Sequence, residues 1–191
     1  MIEVELGKSG SGRQGSPHPH DAVLDPTRSF VVFPDLGSDH VRIFYIIPET
    51  GDLSEQKPVD VPRGSGPRHA AFHCPDAKSA CWMYLVSEIG NTVTVFQVSY
   101  PAEDEMVLEE IQTTTSFGGK DPPRGTFGTA EVEISVSSCP SGQAKIPSAY
   151  CWDSRTADLS LYRIVKINLS GTPIHWQHIR FWAMGCWSLW S

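Results

Sequence analysis

Two short strings hold most of the side chains able to move a proton or grip an anion: His18-Pro19-His20, and Arg68-His69 within Gly-Pro-Arg-His. Histidine changes charge near neutrality, so it can act as a general base toward water or a carbon acid. Arginine presents a planar fork of donors that fits a carboxylate or phosphate and can stabilise the oxyanion formed when a carbonyl is attacked. His20 and Arg68 stand the same distance ahead of a following turn, at Asp25-Pro26 and Pro75-Asp76, once the extra Cys74 is set aside. They therefore occupy equivalent points of two repeated units. His18 and His20 have the spacing of some metal pairs, but no third histidine or carboxylate follows at a matching interval, and no metal or cofactor is expected. The Gly/Ser run at residues 9–12 lacks the Lys-Ser/Thr and the strand–helix context of a phosphate-binding loop and reads as a flexible linker. Lys120 and Arg124 lie in a long loop at 113–127 that reads as an ordinary connection, and His73, just before a turn, reads as structural.

The elements that carry these residues form a repeat. Residues 20–46 (HDAVLDPTRSFVVFPDLGSDHVRIFYI), 68–98 (RHAAFHCPDAKSACWMYLVSEIGNTVTVFQV) and 132–164 (VEISVSSCPSGQAKIPSAYCWDSRTADLSLYRI) follow one plan. Each begins with a short apolar strand, crosses a turn rich in Pro, Asp, Gly or Ser, and enters a second apolar strand. A polar turn leads to a closing strand that alternates with period two: VRIFYI, VTVFQV, LSLYRI. PETGDLSEQ (48–56) and PAEDEMVLEE (101–110) fit a turn into a polar outer edge strand. Several short strands repeated every 40–50 residues or so mark propeller blades. A β-sandwich also alternates, but does not predict the same turn and strand recurring in order. The expected fold is all-β: a partial β-propeller of about three four-stranded antiparallel blades, in which inner strands converge on the axis and equivalent positions face one channel.

These strings resemble the seven-bladed lactonase family, which takes in propeller-type 6-phosphogluconolactonases and the fungal carboxymuconate-lactonizing enzymes (the cycloisomerase 2 family). The resemblance rests on HPHDAVLDPTRSFVVFPDLGSDHVRIF, GSGPRHAAFHCPDAKSACWMYLVSEIGNTVTVF and, more weakly, GTAEVEISVS with DSRTADLSLY, over residues 10–165. It implies an active site at the mouth of the central channel built from a histidine, two arginines and a glutamate. The histidine corresponds to His20, the first arginine to Arg68 and the glutamate to Glu88 of Ser87-Glu88. The second arginine corresponds to Arg155 in Asp153-Ser154-Arg155, where the family's Ser-Asn-Arg has slipped by a residue. Glu88 would orient an arginine or the histidine, or carry a proton itself. His18 and His69 are expected to hydrogen-bond neighbouring backbone. Family members are considerably longer, so blades are expected to be missing on both sides.

The implied substrate is a small anionic lactone or carboxylate, and the leading activity is 6-phosphogluconolactonase-like hydrolysis. Muconate cycloisomerisation and a catalytically inactive propeller fragment are the alternatives. A net charge of −7 opposes binding to nucleic acid or anionic membranes. The first residues lack a secretory h-region, and no apolar run of spanning length occurs. The five cysteines (Cys74, Cys81, Cys139, Cys151, Cys186) are odd in number and scattered, so they are expected to be reduced thiols of a cytoplasmic protein.

The chain is expected to divide into a flexible segment at 1–16, the partial propeller at 17–168 and an irregular tail at 169–191. That tail holds four of the six tryptophans (Trp176, Trp182, Trp187, Trp190). It reads either as a cover for a blade edge or, preferentially, as a stretch translated from outside the proper reading frame. Open blade edges point to self-association.

Overall fold

A computed structural model describes residues 14–74, 81–116, 128–137, 146–153, 160–165 and 177–180. Its strands form three antiparallel sheets, each built from consecutive segments of the chain. The first contains β1 (Val23–Leu24), β2 (Phe30–Asp35), β3 (His40–Ile46), β4 (Leu53–Glu55) and β5 (Val59–Asp60). The second contains β6 (Pro67–His73), β7 (Cys81–Ser87), β8 (Thr92–Ala102) and β9 (Glu105–Thr115). The third contains β10 (Thr129–Ser137), β11 (Ile146–Asp153), β12 (Ser160–Val165) and β13 (Gln177–Arg180). These are the three repeats of the sequence, in order. β13 lies within the Trp-rich segment and pairs with β12; the rest of that segment lies outside the described residues.

The second and third sheets have the expected four strands. In the first, β4 and β5 both pair with β3, at Phe44–Ile46 and at His40–Val41. They are two halves of one outer strand, interrupted around Pro58, which has no N–H to give to a ladder. The expected blade is thus preserved, with its edge strand broken.

Burial explains the apolar pattern. Phe30, Val32, Val41 and Ile43 of the first sheet pack with Met83, Leu85, Phe96 and Val98 of the second. The opposite face of the second sheet places Tyr84, Val86, Val93 and Val95 with Val132 of β10. Both faces of β7 are therefore covered, and it reads as a continuous apolar run where a half-exposed strand would alternate. Burial pushes the Tyr84 phenol up to about 12. The first two sheets are also tied by Asp25, whose carboxylate accepts hydrogen bonds from the amides of Thr27, Ser29 and Phe30 and from the Tyr100 hydroxyl at 2.8 Å. Tyr100 is consequently held above the ordinary phenol range, by burial first and by this bond second. His73 is buried and stacks on Trp82, the structural place expected of it, and burial lowers its pKa.

One expectation is corrected. Cys74 and Cys81 are joined in a disulfide, with Cα atoms 4.3 Å apart, so this pair is not two free thiols. The reason is register: His73 faces Trp82 across the β6–β7 hairpin, which sets Cys74 opposite Cys81 as the next cross-strand pair.

Candidate active site at the blade mouth

The three sheets enter their inner strands in the same way. Pro67 pairs with Ser87 and His69 with Val86, so Arg68 is one extra residue in the ladder. The third sheet repeats this: Thr129 pairs with Asp153 and Glu131 with Trp152, with residue 130 as the extra one. In the first sheet the same one-residue offset separates the Pro19–Asp35 bridge from the Val23–Val32 pair. A bulge of this kind bends a strand and re-aims the side chain it carries. Arg68 and residue 130 thus hold one structural position on neighbouring blades, and His20 lies in the corresponding lead-in to β1. His69 and Glu131 hold the next.

The turns beside these bulges are locked to one another. Asp39 lies in the left-handed region (φ 57°), where Asp is better tolerated than most residues. Its carboxylate accepts from Gly64 at 2.7 Å and Gly66 at 2.9 Å. Both glycines have positive φ, and a Cβ on Gly66 would stand 2.8 Å from the Ile89 side chain. This accounts for the Gly-Ser-Gly before Pro67: the segment must turn left-handed and pass close beneath the next hairpin. From there Gly66 O accepts from Glu88 N, and Ser65 O accepts from Ile89 N and Gly90 N. The chain is thereby handed to Arg68 and Glu88 in a fixed relative position.

Arg68 and Glu88 form an ion pair, Nε to Oε2 at 3.1 Å, with the Glu88 side chain almost fully buried. His20 belongs to the same cluster. Burial is the main cause that lowers its pKa, and the Arg68 guanidinium is the next; His18 and His69 also lower it, while Glu88 opposes them. The His18 and His20 rings stack at 5.2 Å. Of the four expected site residues, Arg68 and Glu88 are in direct contact and His20 lies within their electrostatic reach. The fourth, Arg155, lies outside the described residues, as do Lys120 and Arg124.

His69 does not play the backbone-bonding part expected of it. Its Nδ1 lies 3.2 Å from Glu131 Oε1 and 3.7 Å from Asp21 Oδ2. Asp21 also accepts from the Ala70 amide at 3.3 Å. Neither carboxylate stood out in the sequence, because each comes from a different blade. The signal that would have found Glu131 was its position just after a bulged residue. Chemically, the mouth offers a neutral imidazole, a guanidinium beside a buried carboxylate and two further carboxylates.

Comparison with known proteins agrees with the propeller fold. A "Probable 6-phosphogluconolactonase" of Arthroderma benhamiae is 42% identical over 117 residues, which is 61% of this chain and 28% of that protein. A 6-phosphogluconolactonase of Yersinia enterocolitica is 37% identical over 97 residues, 50% of this chain and 28% of that one. The structure of a periplasmic gluconolactonase from Pseudomonas aeruginosa superposes with a TM-score of 0.63 at 24% identity, over 95% of this chain and 45% of that protein. The chain thus spans less than half the length of each of these proteins. Residues 2–138 match the family described as Lactonase, 7-bladed beta-propeller, and the chain belongs to that family.

Proposed function

We infer that the mouth of the blades is a lactone-hydrolysing site of the 6-phosphogluconolactonase type. What supports this reading is the Arg68–Glu88 ion pair at the bulged start of β6, with the Arg68 charge acting on His20 of the preceding blade. Burial and the Arg68 charge keep His20 neutral over a wider range than a solvated imidazole, which is the form a general base needs. In the proposed step His20 takes a proton from water as its oxygen adds to the lactone carbonyl carbon. The Arg68 guanidinium stabilises the oxyanion that forms. Collapse of that intermediate breaks the ring C–O bond, and the imidazolium returns its proton to the departing alkoxide, leaving an open hydroxy acid. Glu88 fixes the plane of Arg68 through the 3.1 Å contact. Arg155, where the family pattern puts a second arginine, would add a donor for the substrate's anionic group.

The proposed substrate is a small anionic sugar lactone. A sugar phosphate does not diffuse out of a cell, and the cytoplasm is the proposed compartment; the thiol state of Cys74 and Cys81 in freshly opened cells tests it. Self-association through open blade edges is also proposed, and sedimentation velocity reads it directly. Among the described residues no helix is long and apolar enough to cross a membrane.

The deciding experiment is turnover of 6-phosphogluconolactone by this chain and by His20→Ala, with carboxymuconate as the second substrate. Hydrolysis lost on substitution supports the reading. Muconate cyclisation without hydrolysis overturns it in favour of the isomerase, and no His20-dependent turnover of either substrate overturns it in favour of an inactive fragment.

A further inference from the structure

The cluster of Asp21, His69 and Glu131 lies beside the groups assigned above and has no part in the hydrolytic step. His69 and Glu131 occupy the same register position on two successive inner strands, and Asp21 lies just ahead of β1 on the blade before them. One imidazole nitrogen faces both carboxylates, at 3.2 Å and 3.7 Å. Asp21 reaches a second time to the middle blade, through the Ala70 amide. His69 and Glu131 each follow a bulged position, Arg68 and residue 130, and Asp21 follows His20 in the stretch between the Pro19–Asp35 bridge and β1. A bulge lacks one ladder bond and is therefore the least constrained point of its strand. The separation between His20 and Arg68 is thus set on two different blades, at the Arg68 bulge and at the short lead-in to β1. The contacts that link these points side by side are the ones made by His69.

Resting on the hydrolase reading, we propose that His69 is a positioning residue: clasped by Asp21 and Glu131, it sets the distance between His20 on one blade and Arg68 on the next. The three side chains form a cross-blade row just inside the mouth. A shift of the middle strand along its own axis would move Arg68 relative to His20, and the row opposes that shift from both sides. The row keeps a partial exposure that suits positioning more than bulk stability, since the His69 side chain is 21% exposed and that of Glu131 45%.

The test is a double-mutant cycle read by NMR on the ligand-free chain, through the titration of the His20 Cε1 resonance. The groups that act on His20 are His18, Arg68, Glu88 and His69. Arg68 depresses its protonation, so Arg68→Met raises the titration midpoint in the native background. In a His69→Leu background that rise is expected to shrink by roughly half or more, because the guanidinium no longer sits at its set distance. His69→Asn keeps a donor at the Nδ1 position and is expected to restore most of the rise. An equal or larger rise in the Leu background overturns the proposal, and so does a reduced rise that Asn fails to restore. Should His69→Leu not fold, Glu131→Ala, at the most exposed member, is run in the same cycle with the same two outcomes.

The readout needs no turnover, so it stands apart from the hydrolase assay. A normal cycle with an inactive chain sinks the function and keeps the row. Where turnover is present, His69→Leu is expected to lower kcat on the order of tenfold or more, with a smaller change in KM.

Discussion

Replacing Gly66 with alanine tests the claim that one glycine delivers both Arg68 and Glu88. Gly66 has φ +60°, a region that costs an L-residue about 1–2 kcal/mol. Its new Cβ would also meet Ile89 Cδ1 and Cγ1 at 2.8 Å and Leu36 Cγ at 3.2 Å. Overpacking of this kind costs about 1–3 kcal/mol. Against these stands a gain of about 0.4–1 kcal/mol from the stiffer unfolded chain. The net loss expected for Gly66→Ala is therefore about 1–4.5 kcal/mol, with the middle of that range at about 3, a large part of a typical domain's stability. Gly51 is the control, because it has φ +75° with nothing within 4 Å of a built Cβ. Gly51→Ala should lose only the backbone cost less the unfolded-state gain, about 1 kcal/mol or less. Urea titrations of both variants, analysed with a common m-value, measure the difference directly. Equal losses at the two glycines would refute the steric argument and, with it, the close passage beneath Ile89. Since Ile89 follows Glu88, relief of the clash should also move the carboxylate, so Arg68 and His20 signals should shift in Gly66→Ala and stay in place in Gly51→Ala.

Asp25→Ala strands the buried amide of Phe30 and the Tyr100 hydroxyl, and should cost about 2–4 kcal/mol in urea unfolding; a loss under about 1 kcal/mol would show the hub to be dispensable. The pH dependence of stability follows from His20 and His73, whose folded pKa values both lie below the ordinary histidine value of 6.5, chiefly through burial. The unfolded chain then binds more protons in the window just below 6.5, so stability is fully present above that value and falls as pH drops through the lower folded values. Urea midpoints across this window should fall with pH, and His73→Gln should flatten the slope; an unchanged slope would contradict the burial assigned to that ring. Alkylation without reductant should leave Cys74 and Cys81 unmodified, with a single peptide spanning residues 68–98 gaining two labels only after reduction.

The sequence made the repeat legible because strand alternation and turn residues are local properties. The order of the three sheets and the polar outer strands followed from it, as did the expectation that His20 and Arg68 stand at equivalent points; Glu88 came only from the family resemblance. What escaped was set by register, which no single segment states. Cys74 and Cys81 look unrelated until the β6–β7 hairpin places them face to face. The bulge at Arg68 is one residue of mismatch between two strands, visible only when both are paired. His69 read as a motif histidine with a backbone partner, yet its partners arrive from the preceding and following blades. Pro58 did carry a local signal for the broken outer strand, since a missing N–H is written in the residue itself.

The bulge shared by β6 and β10 bears on how such a blade acquires new chemistry. Each of these strands carries its extra residue at the same backbone offset, arginine on one and alanine on the next. The framework that aims the residue is independent of which residue is aimed. A single codon change at one of these addresses therefore alters the reactive inventory of the rim and leaves strand pairing and core untouched. Duplicated blades would then diverge in chemistry one rim position at a time, with each intermediate still folded, and position 130 is the address where this chain carries no reactive group.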